Sequence, residues 1–192
     1  MKKKHKYIIT LNAVVVLGYV ALCFIATLIG VLSKGKLTTL LFATYRASLL
    51  SPLTYLRFFT HVIGHAGWDH FLGNAMYLLI LGPMLEEKHG SKTILEIILF
   101  TALVVGLVNF IFFPKVALCG ASGVVFAFII LASFTGFNEG EIPLTFILVA
   151  IIYIGQQVIQ GMTVQDNVSN LAHIIGGAVG ALAGFVLNRR SK

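Results

Sequence analysis

Apolar positions come in long runs, at 7–32, 71–85, 93–113, 116–137, 142–159 and 171–187. Most are close to the roughly 20 residues an α-helix needs to cross a hydrocarbon layer, so the pattern predicts six transmembrane helices. The separators "EEKHGSK" (86–92), "FFPK" (112–115) and "GFNEGEIP" (136–143) are short, polar and rich in Gly or Pro, as turns between neighbouring helices require. Residues 33–69 break the pattern. They carry Arg46, Pro52, Arg57 and several aromatics, too polar to span and too apolar for a free linker, and so predict a structured interfacial loop. No repeat, low-complexity tract or second domain appears, so 1–192 reads as a single polytopic membrane domain.

Composition changes the solvent of the problem. Of 192 residues 58% are hydrophobic and 11% charged, and mean hydropathy is +0.94; a bilayer, not water, surrounds such a chain. The formal charge of +7 adds an orientation, because "MKKKHK" and "NRRSK" hold seven of the fourteen Lys and Arg. By the positive-inside rule, with an even number of spans, both termini are cytoplasmic. Lys34, Lys36, Arg46 and Arg57 in the long loop run against that rule. A nucleic-acid partner would need a basic face on a soluble domain, and none is visible. The run at 7–32 exceeds a signal-peptide core and is taken as the first span. Cys23 and Cys119 offer neither a disulfide framework nor metal spacing, so no metal or cofactor is expected from them.

Polar groups inside spans are costly, and each is a functional candidate by default. Span four, running inward, has seventeen residues from Ser122 to Glu139, about 25 Å of helix. Span six has sixteen from His173 to Arg189, and span two sixteen from His70 to Glu86, about 24 Å each. Asn74 lies one turn deeper than His70 on the same helix face. Three helices thus deliver Ser122, His173, His70 and Asn74 to one layer below the outer surface.

That set has the parts for acyl transfer. A hydroxyl is a poor nucleophile until a base takes its proton, and imidazole titrates in the right range. The Ser122 backbone N–H at a helix start, the Asn74 amide and a ring N–H of His70 are donors suited to an oxyanion. Asp166 lies beyond a helix mouth and Asp69 in the approach to another span, so a Ser–His dyad is favoured over a triad. Taken singly, each residue has a structural reading: Ser122 as an N-cap between glycines, His70 as an interfacial histidine, Asn74 as an interhelical hydrogen-bonding group. Gly176, Gly180 and Gly184 form a flat stripe below His173. If its partner is span four, the imidazole reaches the serine; generic small-residue packing explains the stripe equally well.

Together these residues resemble the rhomboid family of intramembrane serine proteases, over about 56–186. "GASG" (120–123) is similar to the family's G-x-S-G and implies Ser122 as nucleophile. "AHIIGGAVG" (172–180) is similar to A-H-x-x-G-x-x-x-G and implies His173 as general base. "HAGWDHFLGN" (65–74) is similar to H-x-x-x-x-H-x-x-x-N, making His70 and Asn74 oxyanion partners of the Ser122 amide. "EEKHGS" (86–91) is similar to the structural E-x-x-x-G-S at the inner end of span two. Two positions depart: the loop's usual Trp-Arg is Leu56-Arg57, and one turn after the serine, where many members carry Tyr, stands Phe126, whose ring can still stack on His173. His61 and His65 match loop histidines that are structural in the family.

The resemblance implies an all-α six-transmembrane-helix bundle in a cell membrane, with a water-accessible cavity open to the extracytoplasmic side. It implies single-pass transmembrane proteins as substrates, cleaved where their helix unwinds and exposes a peptide bond. It also implies a gate at the fifth span and a cap at 161–169, where Gln156, Gln157 and Gln160 suit a wet opening or plain interhelical bonding. Other readings are a metal site of His61, His65 and His70, without an accompanying H-E-x-x-H; a catalytically silent binder of transmembrane clients; and a transporter, against which stands the lack of inverted repeats. Glu96 and Asn109, inside span three, are expected to be buried against neighbours.

Overall fold

A computed structural model of the chain describes residues 11–134, 142, 144–163 and 167–190, with 153–154, 156–163, 167–169 and 188–190 as backbone only. Residues 1–10 and 191–192, Glu139, Asp166 and the side chains of Gln156, Gln157, Gln160, of 161–169 and of 188–190 lie outside the described set. The described chain is helical: α1 Val14–Leu32, α2 Lys36–Leu41, α3 Pro52–Thr60, α4 Trp68–His89, α5 Ser91–Phe112, α6 Ser122–Ser133, α7 Leu144–Thr163 and α8 Asn167–Arg190. Three segments among the described residues, Val14–Leu32, Ser91–Phe112 and Asn170–Leu187, are long and apolar enough to cross a membrane.

The helix ends show how apolar sequence becomes this fold. No side chain of its own caps α1. Instead the Glu86 carboxylate, on the last turns of α4, accepts the Val15 and Val16 N–H groups at 3.0 and 2.9 Å and the Ser91 hydroxyl at 2.6 Å. Orphan donors of one helix are thereby satisfied from another, in a setting where water is scarce. Gly90, at φ +84°, lets α4 turn directly into α5.

Helix α6 differs from the span predicted at 116–137. It has twelve residues, about 18 Å, short of the roughly 30 Å hydrocarbon thickness. Residues 113–121 instead form a non-helical lead-in, begun where Pro114 lacks an N–H. Thr44 of the long loop holds it in an isolated antiparallel bridge, with both Thr44–Leu118 hydrogen bonds at 2.9 Å. Asn109, buried as expected, donates its side-chain amide to the carbonyls of Thr44 at 2.9 Å and Val116 at 3.2 Å, tying α5 to the same junction. Glu96 corrects the matching expectation: it is 63% exposed and pairs with Lys92 at 3.9 Å, because it lies on the outward face of α5 while Ile94, Ile97 and Ile98 at the same depth take the buried face.

Apolar all round, α6 is central, as such a helix must be, and packs on α4, α5, α7 and α8. The small-residue stripe of α8 lies against it. A Cβ added at Gly176 would collide with the Gly123 carbonyl, one at Gly180 with the Ala127 carbonyl, and one at Gly184 would meet the Phe134 ring. Backbone-to-backbone approach of this kind gives membrane helices close packing without a hydrophobic driving force.

The 33–69 loop is ordered by its own polar contacts. Arg57, 5% exposed, donates from Nε to the Leu40 carbonyl at 2.8 Å and lays its guanidinium over the Tyr45 ring at 4.4 Å. The Thr54 hydroxyl donates to the Ser48 carbonyl at 2.7 Å, and the Thr60 hydroxyl to that of Leu41. Leu49, Leu50, Tyr55, Leu56 and Phe59 face outward from it. Leu56, where the resemblance calls for Trp, therefore keeps an apolar exposed surface.

Candidate active site

The residues singled out from sequence meet in space. Ser122, His173, His70 and Asn74 all line one cavity of about 590 Å³, together with Asp69, Gly73, Tyr77, Leu118, Cys119 and Phe126 among others.

Ser122 is the first residue of α6, where the opening N–H groups of a helix have no intrahelical acceptor. The shortened helix is what sets its position: the lead-in carries the chain past the Thr44 bridge and delivers the serine at the start of the central helix. Gly120 makes the final bend at φ +138°, and its N–H donates to the His61 carbonyl at 2.9 Å. A Cβ there would lie 2.8 Å from both Cε1 and Nε2 of His70. Only glycine combines that backbone angle with an imidazole so close.

On α8, His173 stands one turn before Gly176, whose contact with Gly123 draws this part of α8 to the start of α6. Its ring packs on Phe126 with centroids 4.4 Å apart at 44°. The departure from Tyr thus keeps the stacking contact. From α4 comes Asn74, 8% exposed, whose side-chain Nδ2 is buried and has no hydrogen-bond partner among the described residues. A buried amide donor with no acceptor costs on the order of 1–3 kcal/mol unless something in the cavity accepts from it.

The two loop histidines serve the backbone. His61 is buried, with Nε2 3.0 Å from the Ala102 carbonyl. Nδ1 of His65 lies 3.2 Å from the Ile63 carbonyl, and its Nε2 accepts the Ala121 N–H at 3.5 Å, the residue that caps α6. Burial pushes both imidazoles down to about 4, in His65 with a further push from neighbouring His70. Each is therefore neutral at pH 7, as the accepting Nε2 of His65 requires. His65 and His70 pack edge-on at 5.0 Å between centroids. Among the described residues no three His, Cys, Asp or Glu side chains are placed to share a metal ion, so the three-histidine arrangement is not formed.

Sequence reasoning missed Asn170, buried on α8 one turn before His173, with its amide nitrogen also unpaired among the described residues. An amide at i−3 to a histidine inside an apolar helix was the available signal. It also missed the bridge that holds the lead-in, for which a single threonine leaves no pattern.

A helical membrane protein whose central helix opens on a serine, inside a cavity shared with two histidines and an asparagine, defines the class. The chain belongs to the rhomboid family: the family's Rhomboid domain matches residues 52–190. It is 31% identical over 140 residues to Rhomboid-related protein 1 of Caenorhabditis elegans, covering 68% of this chain and 39% of that protein. To Rhomboid-related protein 2 of Mus musculus it is 32% identical over 160 residues, 72% of this chain and 53% of the mouse protein. Rhomboid-like protein 11, chloroplastic, of Arabidopsis thaliana is 25% identical over 150 residues, covering 70% and 53% respectively. The matched regions span about half or less of these relatives' own length.

Proposed function

We propose that this protein is an intramembrane serine endopeptidase that cuts single-pass transmembrane proteins within or near their membrane segment. The observation that carries the reading is the Asn74 amide, buried and without a partner among the described residues, in a cavity that Ser122 and His173 also line. Buried donors in a membrane protein are normally satisfied, and one left open beside a hydroxyl and an imidazole suits an oxyanion that exists only during reaction.

In this reading α1, α4, α5, α6, α7 and α8 are six spans with both termini cytoplasmic, and the cavity opens on the extracytoplasmic side of a cell membrane. His173 takes the proton of Ser122 as Oγ attacks the scissile carbonyl carbon, and the carbonyl π pair moves onto oxygen. The Ser122 N–H, Asn74 Nδ2 and a ring N–H of His70 hold that oxyanion. Collapse breaks the C–N bond while His173 protonates the leaving amine; water then deacylates Ser122 with His173 again as base. No metal or cofactor takes part. Phe126 steadies the imidazole, and His65 holds the backbone at the start of α6.

The test is labelling of detergent-solubilised protein with a fluorophosphonate, alongside cleavage of a transmembrane reporter. Parent protein is expected to label and cut, and Ser122→Ala and His173→Ala to do neither. A folded parent that neither labels nor cuts, while co-purifying with an intact transmembrane client, would replace the protease reading with that of a client binder.

A further inference from the structure

The cavity carries a charge that acyl transfer does not use. Asp69, in the first turn of α4 and exposed, lines it beside His70. Among the described lining residues it is the only carboxylate, and no Lys or Arg accompanies it. Among the described residues it has no ion-pair partner either. Asp69, Gly73 and Tyr77 recur every four residues, so all three share one helix face, and all three line the cavity. Between the acid and the phenol the face is bare, because a Cβ added at Gly73 would meet nothing within 4 Å. The result is a slot with an aromatic ring at its inner end, open space over Gly73, and an anion at its outer end.

A long cationic side chain fits those three features. Its aliphatic stem lies over Gly73 against Tyr77 while its charged head stays near Asp69 and water, as Lys and Arg stems do at apolar surfaces. We infer that Asp69 is a specificity-determining residue, selecting substrates with a Lys or Arg within about three residues of the cut bond, a reach set by about 3.3 Å per extended residue. This rests on the protease reading. His70, next to Asp69 in sequence, has its ring against Gly120, two residues before the nucleophile, so the slot lies beside the scissile position. An acid in the first turn of a helix also favours the helix dipole, but that effect acts on stability and is blind to substrate charge.

The experiment uses full-length protein in detergent and a matched reporter set that carries Lys, Gln or Glu at each of three positions on either side of the cut. The readout is the Lys-to-Glu ratio of kcat/KM, which cancels the amount of folded enzyme. At the responsive position the parent is expected to give a ratio of about tenfold at low salt, shrinking as salt is added. Asp69→Asn brings the ratio near one and Asp69→Lys inverts it. A parent ratio that persists in Asp69→Asn, or a ratio near one at all six positions, overturns the assignment while leaving the protease reading intact. A parent that cuts none of the reporters removes both.

Discussion

The two ends of α4 handle polar groups in opposite ways. At one end Glu86 sits 4% exposed, with its carboxylate occupied by two backbone N–H groups of α1 and the Ser91 hydroxyl. Toward the other end Asn74 is 8% exposed and its amide nitrogen has no partner among the described residues. Burial is nearly equal; satisfaction is not. In a membrane, where an unmet donor has little water to turn to, a satisfied group reads as architecture and an unsatisfied one as a site waiting for a ligand or transition state.

Truncating the two groups should have opposite effects. Under the proposed mechanism Asn74→Ala removes an oxyanion donor, so kcat is expected to fall about 10²–10³-fold with thermal stability held or raised, since an unmet buried amide is lost. Single-turnover cleavage and a thermal melt on one preparation measure both effects. Unchanged kcat would make Asn74 an ordinary interhelical amide. Glu86→Ala should do the reverse, exposing the α1 donors and lowering stability by about 2–4 kcal/mol, with kcat per fluorophosphonate-labelled site kept within about threefold. A catalytic loss with no change in melting would end the architectural assignment.

The same contrast separates what was legible in the sequence from what was not. Ser122, His173, His70 and Asn74 could be placed at one depth by counting residues from charged helix ends, and the glycines at 176, 180 and 184 announced a close partner because helical periodicity is written locally. The shortened α6 was not legible, since 116–121 is as apolar as a helix and is held out of helix by Thr44, more than 70 residues earlier. Glu96 misled for a related reason. Its position within an apolar run said nothing of which face of α5 it occupies, whereas Asn109 on the same helix is buried because a distant loop supplies its acceptors.

His61 lies between the two extremes, with Nε2 bonded to the Ala102 carbonyl and Nδ1 buried without a partner among the described residues. Burial lowers its folded pKa from 6.5 to about 4, so the unfolded chain binds more protons across that window. Stability is therefore full above pH 6.5 and lost as pH falls toward 4, amounting to about 2 kcal/mol between pH 6.5 and 5. His65, lowered in the same direction, adds to the loss. Melting in detergent across that range measures the slope, and His61→Gln should flatten it; equal slopes in parent and variant would mean the ring is not held neutral by the fold.

Lys92 and Glu96 supply the control for the contrast, because they are charged groups exposed on the outside of the helix bundle. Their side chains are 91% and 63% exposed and 3.9 Å apart at i and i+4. Lysine precedes glutamate, the weaker order for such a pair, and lysine also stands at the N-terminal end of α5, where the helix dipole disfavours a cation. Screening by solvent and the entropy of two long side chains leave little net attraction. Glu96→Gln is accordingly expected to change stability by less than about 0.5 kcal/mol and cleavage by less than about twofold. A loss comparable to that of Glu86→Ala would show that charge near the end of a span matters here irrespective of its partners, and the distinction drawn between satisfied and open polar groups would fail at its simplest case.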